Sequence, residues 1–307
     1  MRLFKKTNID FLGKRKYFYM LSSAMVFIGL VSMLFKGISY GIDFQGGTEI
    51  VLAFQQKIEI SDMRVALAKV GLGKSEIKSY GADNNILIRT SEQAEGTGVA
   101  DKIKSVVQAS FPEKNFDVLK EDKIGPKIGK ELRRDALYAV IWAFFAILSY
   151  IAIRFKFAYG FGAVLATVHD VLTTFGFLSL LNGLIPGLNL DISQEVIAAF
   201  LTLIGVSVND TVIIFDRIRE NEKIYRSMSL NDVMNKSLND TLSRTIITSG
   251  TIFIVLIVLL VFGGEVNRGF AFTMAFGIIT GTYSSIYIAS AFVLDWNRYR
   301  IRKTATA

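Results

Sequence analysis

Three titratable side chains stand deep inside long apolar runs of this sequence: His169, Asp170 and Asp210. An ionisable group at the centre of a hydrocarbon layer costs roughly 3 kcal/mol or more, so such positions are read first as functional. Asp210 is the strongest candidate. Ser207, Asp210, Thr211 and Ile214 fall on one stripe of a helix, which turns the carboxylate toward polar neighbours. The next apolar stretch offers a matching stripe of Thr241, Arg244, Thr248 and Thr251, and an arginine there can extend about one turn. A carboxylate that is either paired with arginine or protonated and released is the minimum equipment of a proton-driven switch. The alternative is a static buried ion pair that joins two helices. His169 and Asp170 read first as a structural hydrogen-bonded pair, with a secondary proton relay as the other reading. Asp135, Glu195 and Asp216 fall at helix ends, where Glu195, two residues after Ser193, serves a helix N-terminus.

Other chemistries are excluded by composition. Cysteine is absent, so disulfides, thiolate nucleophiles, iron–sulfur centres and Cys-based metal sites have no ligands, and the single histidine, His169, disfavours a His-based metal site. No cofactor is expected. The segment Gly41-Ile42-Asp43-Phe44-Gln45-Gly46-Gly47 has the glycines of a phosphate loop but not its Lys-Ser/Thr pair. Gly46 and Gly47 before a β-rich run instead supply a turn.

The elements that must position these residues are spans of a membrane. Six stretches of 17 or more nearly uncharged residues occur at 17–35, 136–153, 157–181, 196–215, 246–262 and 270–294. Each can cross a hydrocarbon core of roughly 30 Å. Eighteen Lys and Arg lie in the N-terminal arm 1–16, the 154–156 turn, the 216–245 loop and the tail 295–307, against Arg268 alone in the two short loops opposite. That asymmetry predicts cytoplasmic termini and an external segment 36–134. Lys123, Lys127, Lys130, Arg133 and Arg134 stand on the predicted outer side, and long translocated domains tolerate such charges. The first run exceeds a signal-peptide core and lacks a small-x-small cleavage site, so it is expected to remain as an anchor.

The external segment 36–134 reads as α+β. A strand over 48–54, a helix over 62–70 capped by Ser61 and closed by Gly71, a hairpin of 75–81 and 86–90, a helix over 99–111 and a strand over 115–120 give the ferredoxin-like order β-α-β-β-α-β. In the 216–245 loop, Leu230, Val233, Met234, Leu238 and Leu242 recur at helical spacing. They predict an amphipathic helix on the inner membrane surface, or a helix packed on its own neighbours. Gly277 and Gly281 form a small-xxx-small pair that permits close packing in the last span.

At this point the chain resembles the SecD/SecF family of protein-export membrane subunits along nearly its whole length. The resemblance rests on Gly41–Thr48, on Gly125–Arg134, on the fourth-span run Val208–Asn221 with Asn209-Asp210-Thr211, on Thr241–Thr251 and on Phe262-Gly263-Gly264. It implies a six-span half of an assembly of the resistance-nodulation-division type. It further implies a SecD partner, the SecYEG channel, YajC and unfolded polypeptides in transit, the proton-motive force as the driver, and the bacterial inner membrane as the location. The family's proton-linked aspartate and arginine fall on Asp210 and Arg244, and its glycine motif on Gly41, Asp43, Phe44, Gly46 and Gly47. Two alternatives are half of a proton-driven small-molecule exporter and a non-motor scaffolding subunit. An intramembrane aspartyl protease is disfavoured, because neither Asp170 nor Asp210 sits in a Gly-x-Gly-Asp setting.

Overall fold

The chain is described by a computed structural model over residues 7–92, 96–184, 188 and 190–305. The first half comprises α1 (Arg15–Phe35), a one-turn α2 (Ile42–Gln45), β1 (Gly47–Phe54), α3 (Ile60–Ala68), β2 (Glu76–Tyr80), β3 (Ala82–Thr90), α4 (Gly98–Ser110) and β4 (Phe116–Ile124). There follow α5 (Pro126–Arg154), α6 (Phe157–Leu181), α7 (Gln194–Ile224), α8 (Leu230–Phe262) and α9 (Gly264–Ser284). A π-helical turn (Ser285–Ser290) then leads without a break into α10 (Ala291–Ala305). Six of these helical rods among the described residues are long and apolar enough to cross a membrane, α9, the π turn and α10 making one of them. Arg2, Lys5 and Lys6 of the basic arm lie outside the described residues.

The rods divide into centre and periphery by how much of their apolar window the rest of the chain covers. That share is 72% in the last rod and 50% in α6 and α7, but 17% in α1 and α8 and 6% in α5. The polar residues therefore collect between α6, α7 and the last rod. Glycine lets backbones meet there. Gly29 of α1 and Gly176 of α6 cross so closely that a Cβ on either would collide with the other's backbone. Gly281 lies against Ser207 and Asp170 and Gly277 against Leu203, so the small pair in the last span makes room for a carboxylate at one position and a leucine at the other.

Between α1 and α5 lies a four-stranded antiparallel sheet of order β2-β3-β1-β4. Ile50, Leu52 and Phe54 on one face of β1 pack with Met63 and Leu67 of α3 and with Ile103 and Val107 of α4. Its other face is buried as well, because Glu49 and Val51 turn toward the ends of the spans.

Several boundaries differ from the sequence expectation. Ser61 does not cap α3, which starts behind Glu59 without a side-chain cap. Gly71 does close it, at φ +84, with Leu72 N–H donating to Leu67 O at 2.9 Å. β3 starts at Ala82 rather than 86, so the hairpin turns at Gly81, and β4 continues to Ile124.

The largest difference concerns 216–245, which is not a loop with a separate surface helix. α7 runs on to Ile224, and α8, capped by Ser229 Oγ accepting from Asp232 N–H, runs unbroken from Leu230 into the fifth span. Val233, Met234 and Leu238 are buried, the last two in one cluster with Phe215, Ile218, Phe11 and Leu12. The apolar stripe thus packs on its own neighbours, the second of the two sequence readings.

Candidate functional site

Asp210 lies on α7 with Ser207, Thr211 and Ile214, and all four are buried, as their spacing predicts. Its Oδ2 accepts one hydrogen bond, from Ser249 Oγ of α8 at 3.0 Å. A carboxylate can accept about four. Among the described residues Asp210 forms no ion pair with Arg244, which is exposed on α8 and acts on it only through its charge. The inward stripe of α8 is Thr241, Thr245 and Ser249, whereas Arg244, Thr248 and Thr251 are exposed. Both stripes begin at Thr241, and α8 carries hydroxyls on each, so periodicity alone could not choose between them.

Asp170 is more thoroughly held. It is fully buried, and its Oδ2 accepts from Ser207 Oγ of α7 at 2.6 Å and from Ser284 Oγ of α9 at 2.8 Å. Its Oδ1 is 3.0 Å from His169 Nδ1. The other ring nitrogen, Nε2, is 2.9 Å from the Tyr283 hydroxyl and 3.3 Å from Thr173 Oγ1, and Tyr283 in turn reaches Ser22 Oγ of α1 at 3.3 Å. With Nδ1–H donating to Asp170, Nε2 becomes an acceptor and Tyr283 its donor, which makes a continuous chain from α1 to α6. Asp170 thus ties α6 to α7 and α9 next to the π turn, and a hydrogen bond of 2.8 Å between Thr211 Oγ1 and Ser285 Oγ joins that turn to the helix of Asp210. Such π turns recur at functional sites.

A third centre escaped the sequence reading. Arg89 of β3 is buried and donates to Glu49 at 2.7 Å, to Glu76 at 3.0 Å and to Asp191 at 2.8 Å. Asp191, on the α6–α7 connection, also accepts from Lys78 at 2.8 Å and from Asn182 Nδ2 at 2.9 Å. Burial alone would raise the Asp191 carboxyl, but Lys78 and Arg89 outweigh it and hold the group well below the usual carboxylate range. The network fastens the sheet to the spans. Arginine and acids scattered along strands look like ordinary solvated surface in a sequence, and only the pairing brings them together.

The glycine motif works at the same place. Gly41 N–H donates to Ile192 O at 2.9 Å, and Asp43 Oδ2 accepts from Gln194 N–H at 3.0 Å in the first turn of α7. Burial pushes the Asp43 carboxyl up. Phe44 is buried among Ile192, Val196 and Phe200. Gly46 and Gly47 have φ of +74 and +135, and a Cβ would meet Pro126 backbone at the first and Thr90 backbone at the second. They turn the chain from α2 into β1, as expected, and also admit the start of α5. Glu195 lies in the first turn of α7 beside the capping Ser193, whose Oγ accepts from Val196 N–H at 3.4 Å.

Comparison with known proteins bears on the whole arrangement. Residues 102–299 match the family described as protein export membrane protein SecD/SecF, C-terminal, and residues 31–58 match the SecD/SecF GG motif. A protein translocase subunit SecF of Rhodothermus marinus is 43% identical over 295 residues, covering 96% of this chain and 95% of that protein. One from Desulfurispirillum indicum is also 43% identical over 295 residues, with 94% and 91% covered. The crystal structure of SecDF from Thermus thermophilus, a translocon-associated membrane protein, superposes with a TM-score of 0.83 at 35% identity, covering 95% of this chain. A super-membrane-facing form of SecDF gives 0.72 at 34% identity. The chain spans 39% and 41% of those two SecDF chains.

Proposed function

The chain belongs to the SecD/SecF family and serves Sec-dependent protein export in an accessory, non-enzymatic role, and we propose that it couples this role to the proton-motive force through Asp210 and Arg244. The observation that carries the proposal is the state of Asp210: buried in the fourth span and, among the described residues, held by Ser249 alone, with an arginine near enough to act on it but not paired. A carboxylate with unused acceptor sites can exchange its proton and its partner as helices shift. One proton crossing 100 mV releases roughly 2.3 kcal/mol, enough to bias a two-state rearrangement about fiftyfold. His169 and Asp170 form a secondary relay to α1 in this reading.

The remaining parts follow the same proposal. The chain sits in the bacterial inner membrane with both termini and the α7–α8 turn in the cytoplasm, a reading supported by the eighteen-to-one distribution of basic residues. The external domain is ferredoxin-like, supported by its element order and by the β2-β3-β1-β4 sheet. SecD is the partner that supplies a second half, in keeping with the two-fifths share of SecDF that this chain spans. SecYEG, YajC and unfolded polypeptide complete the assembly.

Vesicles carrying the chain with its SecD partner test the coupling. Asp210→Asn keeps size and removes the titratable proton, so gradient-dependent export should vanish while assembly is retained. Arg244→Ala should impair export, and Asp210→Glu should retain part of it. Normal gradient dependence in correctly assembled Asp210→Asn would mean that Asp210 is structural and that the subunit is a scaffold.

A further inference from the structure

At one corner of the membrane part, α5 stops at Arg154 and α6 starts at Phe157, leaving Phe155 and Lys156 to make the turn. The last turns of α7 run beside it and enclose a cavity of about 590 Å³. That size falls in the range of roughly 300–1,000 Å³ usual for small-ligand sites. Its floor is aromatic, with Phe215 between Phe155 at 5.9 Å and Tyr159 at 5.0 Å. Its rim holds Arg154, Lys156, Arg219, Lys223 and Arg226 against one acid, Glu222.

These charges are not used up by the fold. Arg154 pairs with Asp216 at 3.1 Å, and the Tyr159 hydroxyl donates to Glu222 at 3.3 Å. The side chains of Lys156, Arg219, Lys223 and Arg226 are exposed and have no hydrogen-bond or ion-pair partner among the described residues. Arg219 and Lys223 are one turn apart on α7 and so share a face. The N-terminus of the 25-residue α6, which has no side-chain cap, adds partial positive charge at the same corner. A second cavity, of about 190 Å³, shares Lys156, Tyr159 and Glu222 and opens between Phe157 and Trp296, whose rings are 6.0 Å apart. Phe157 is 72% exposed and Ile153 89%, so an apolar strip leaves the basic rim along the outside of the helices.

We infer that this corner binds the headgroup of an anionic phospholipid, with its phosphate among Lys156, Arg219 and Lys223 and its acyl chains along Phe157 and Phe161. Basic groups alone would suit any anion. Their position at span ends, beside exposed aromatics of the kind that anchor at the membrane interface, selects a lipid over a soluble one. The inference rests on reading these helices as spans, and not on Asp210 or on which side faces inward.

Native mass spectrometry of the complex with its SecD partner, together with lipid titration in nanodiscs that expose both faces, tests the site independently of orientation and of proton coupling. Wild type should retain phosphatidylglycerol in preference to phosphatidylcholine. The triple variant Lys156→Gln, Arg219→Gln, Lys223→Gln should bind phosphatidylglycerol roughly a hundredfold more weakly, at about 1 kcal/mol per surface charge. Lys236→Gln, a basic residue elsewhere on α8, should bind like wild type. If the triple variant fails to assemble, Lys223→Glu alone should still lower affinity at least several-fold. Equal retention in wild type and variants would overturn the site, and so would equal binding of phosphatidylcholine. Displacement of the lipid by millimolar inorganic phosphate would overturn the lipid assignment in favour of a soluble anion.

Discussion

At the scale of single residues, the two buried aspartates divide the labour by how they are held. Asp170 is bonded from two hydroxyls and an imidazole on three helical segments, whereas among the described residues Asp210 has Ser249 alone. Truncating Asp170 leaves buried donors without an acceptor, and each unsatisfied group costs about 1–3 kcal/mol. Asp170→Ala should therefore lower the thermal unfolding midpoint of the detergent-solubilised complex by several degrees more than Asp210→Ala does. Equal shifts would mean that hydrogen bonding does not distinguish the two. Both residues were legible in the sequence because charge inside an apolar run is rare and costly. Their partners were not. Arg244 is the conspicuous cation, yet it stands exposed, and a serine among many hydroxyls holds Asp210 instead. Tyr283 and Ser284 gave no signal either, since a hydroxyl in a span is as readily bonded to its own backbone.

Among the elements, the spans were readable from length and apolarity, but the extensions of α7 and α8 toward the turn that joins them were not. Residues 216–224 and 230–245 are polar enough to pass for a loop, and they remain helical because no glycine or proline interrupts them and because Met234 and Leu238 find a core. The glycine motif was legible as a turn, though not as the wedge between β3 and α5. Gly47→Ala should be far more damaging than Gly71→Ala, although both have positive φ. At Gly71 a Cβ meets open space, so the cost is the conformational one, about 1 kcal/mol. At Gly47 it would collide with Thr90 backbone, and the sheet or α5 must shift. Membrane-inserted yield and protease resistance of the external domain should fall sharply for Gly47→Ala and little for Gly71→Ala, and similar losses would remove the wedge.

The same connection has a pH signature. The folded-state pKa of Asp191 is depressed, so its stabilising contribution is complete above the unfolded value of about 3.9 and is lost as pH falls through the folded one. Protease resistance of the external domain in reconstituted vesicles should hold from neutral pH to about 4 and then fall. Asp191→Asn should start lower and show a smaller acid loss. Identical acid profiles for the two chains would show that the α6–α7 connection does not fasten the sheet.

For the molecule as a whole, one sidedness governs the proposed coupling. Proton entry and the position of the sheet are both tied to which end of the bundle faces out. The absence of cysteine makes this directly measurable, because any introduced thiol is the only one. Lys102 is exposed on α4, which covers the sheet face turned away from the spans, and Met228 is exposed in the turn between α7 and α8. A membrane-impermeant maleimide applied to intact spheroplasts should label Lys102→Cys at once. It should label Met228→Cys only after the membrane is opened. The physical basis is retention of basic loops: Arg217, Arg219, Lys223 and Arg226 lead into that turn, and Lys236 follows it, whereas the opposite short connections carry Arg268 alone. The basic run from Lys123 to Arg134 at the start of α5 opposes this assignment, which is why the measurement discriminates. If retention near α5 dominated, the labelling would invert, with Met228→Cys reactive from outside and Lys102→Cys protected. The sheet would then face the cytoplasm, and the Arg89 network would fasten a domain that no exported polypeptide meets before crossing.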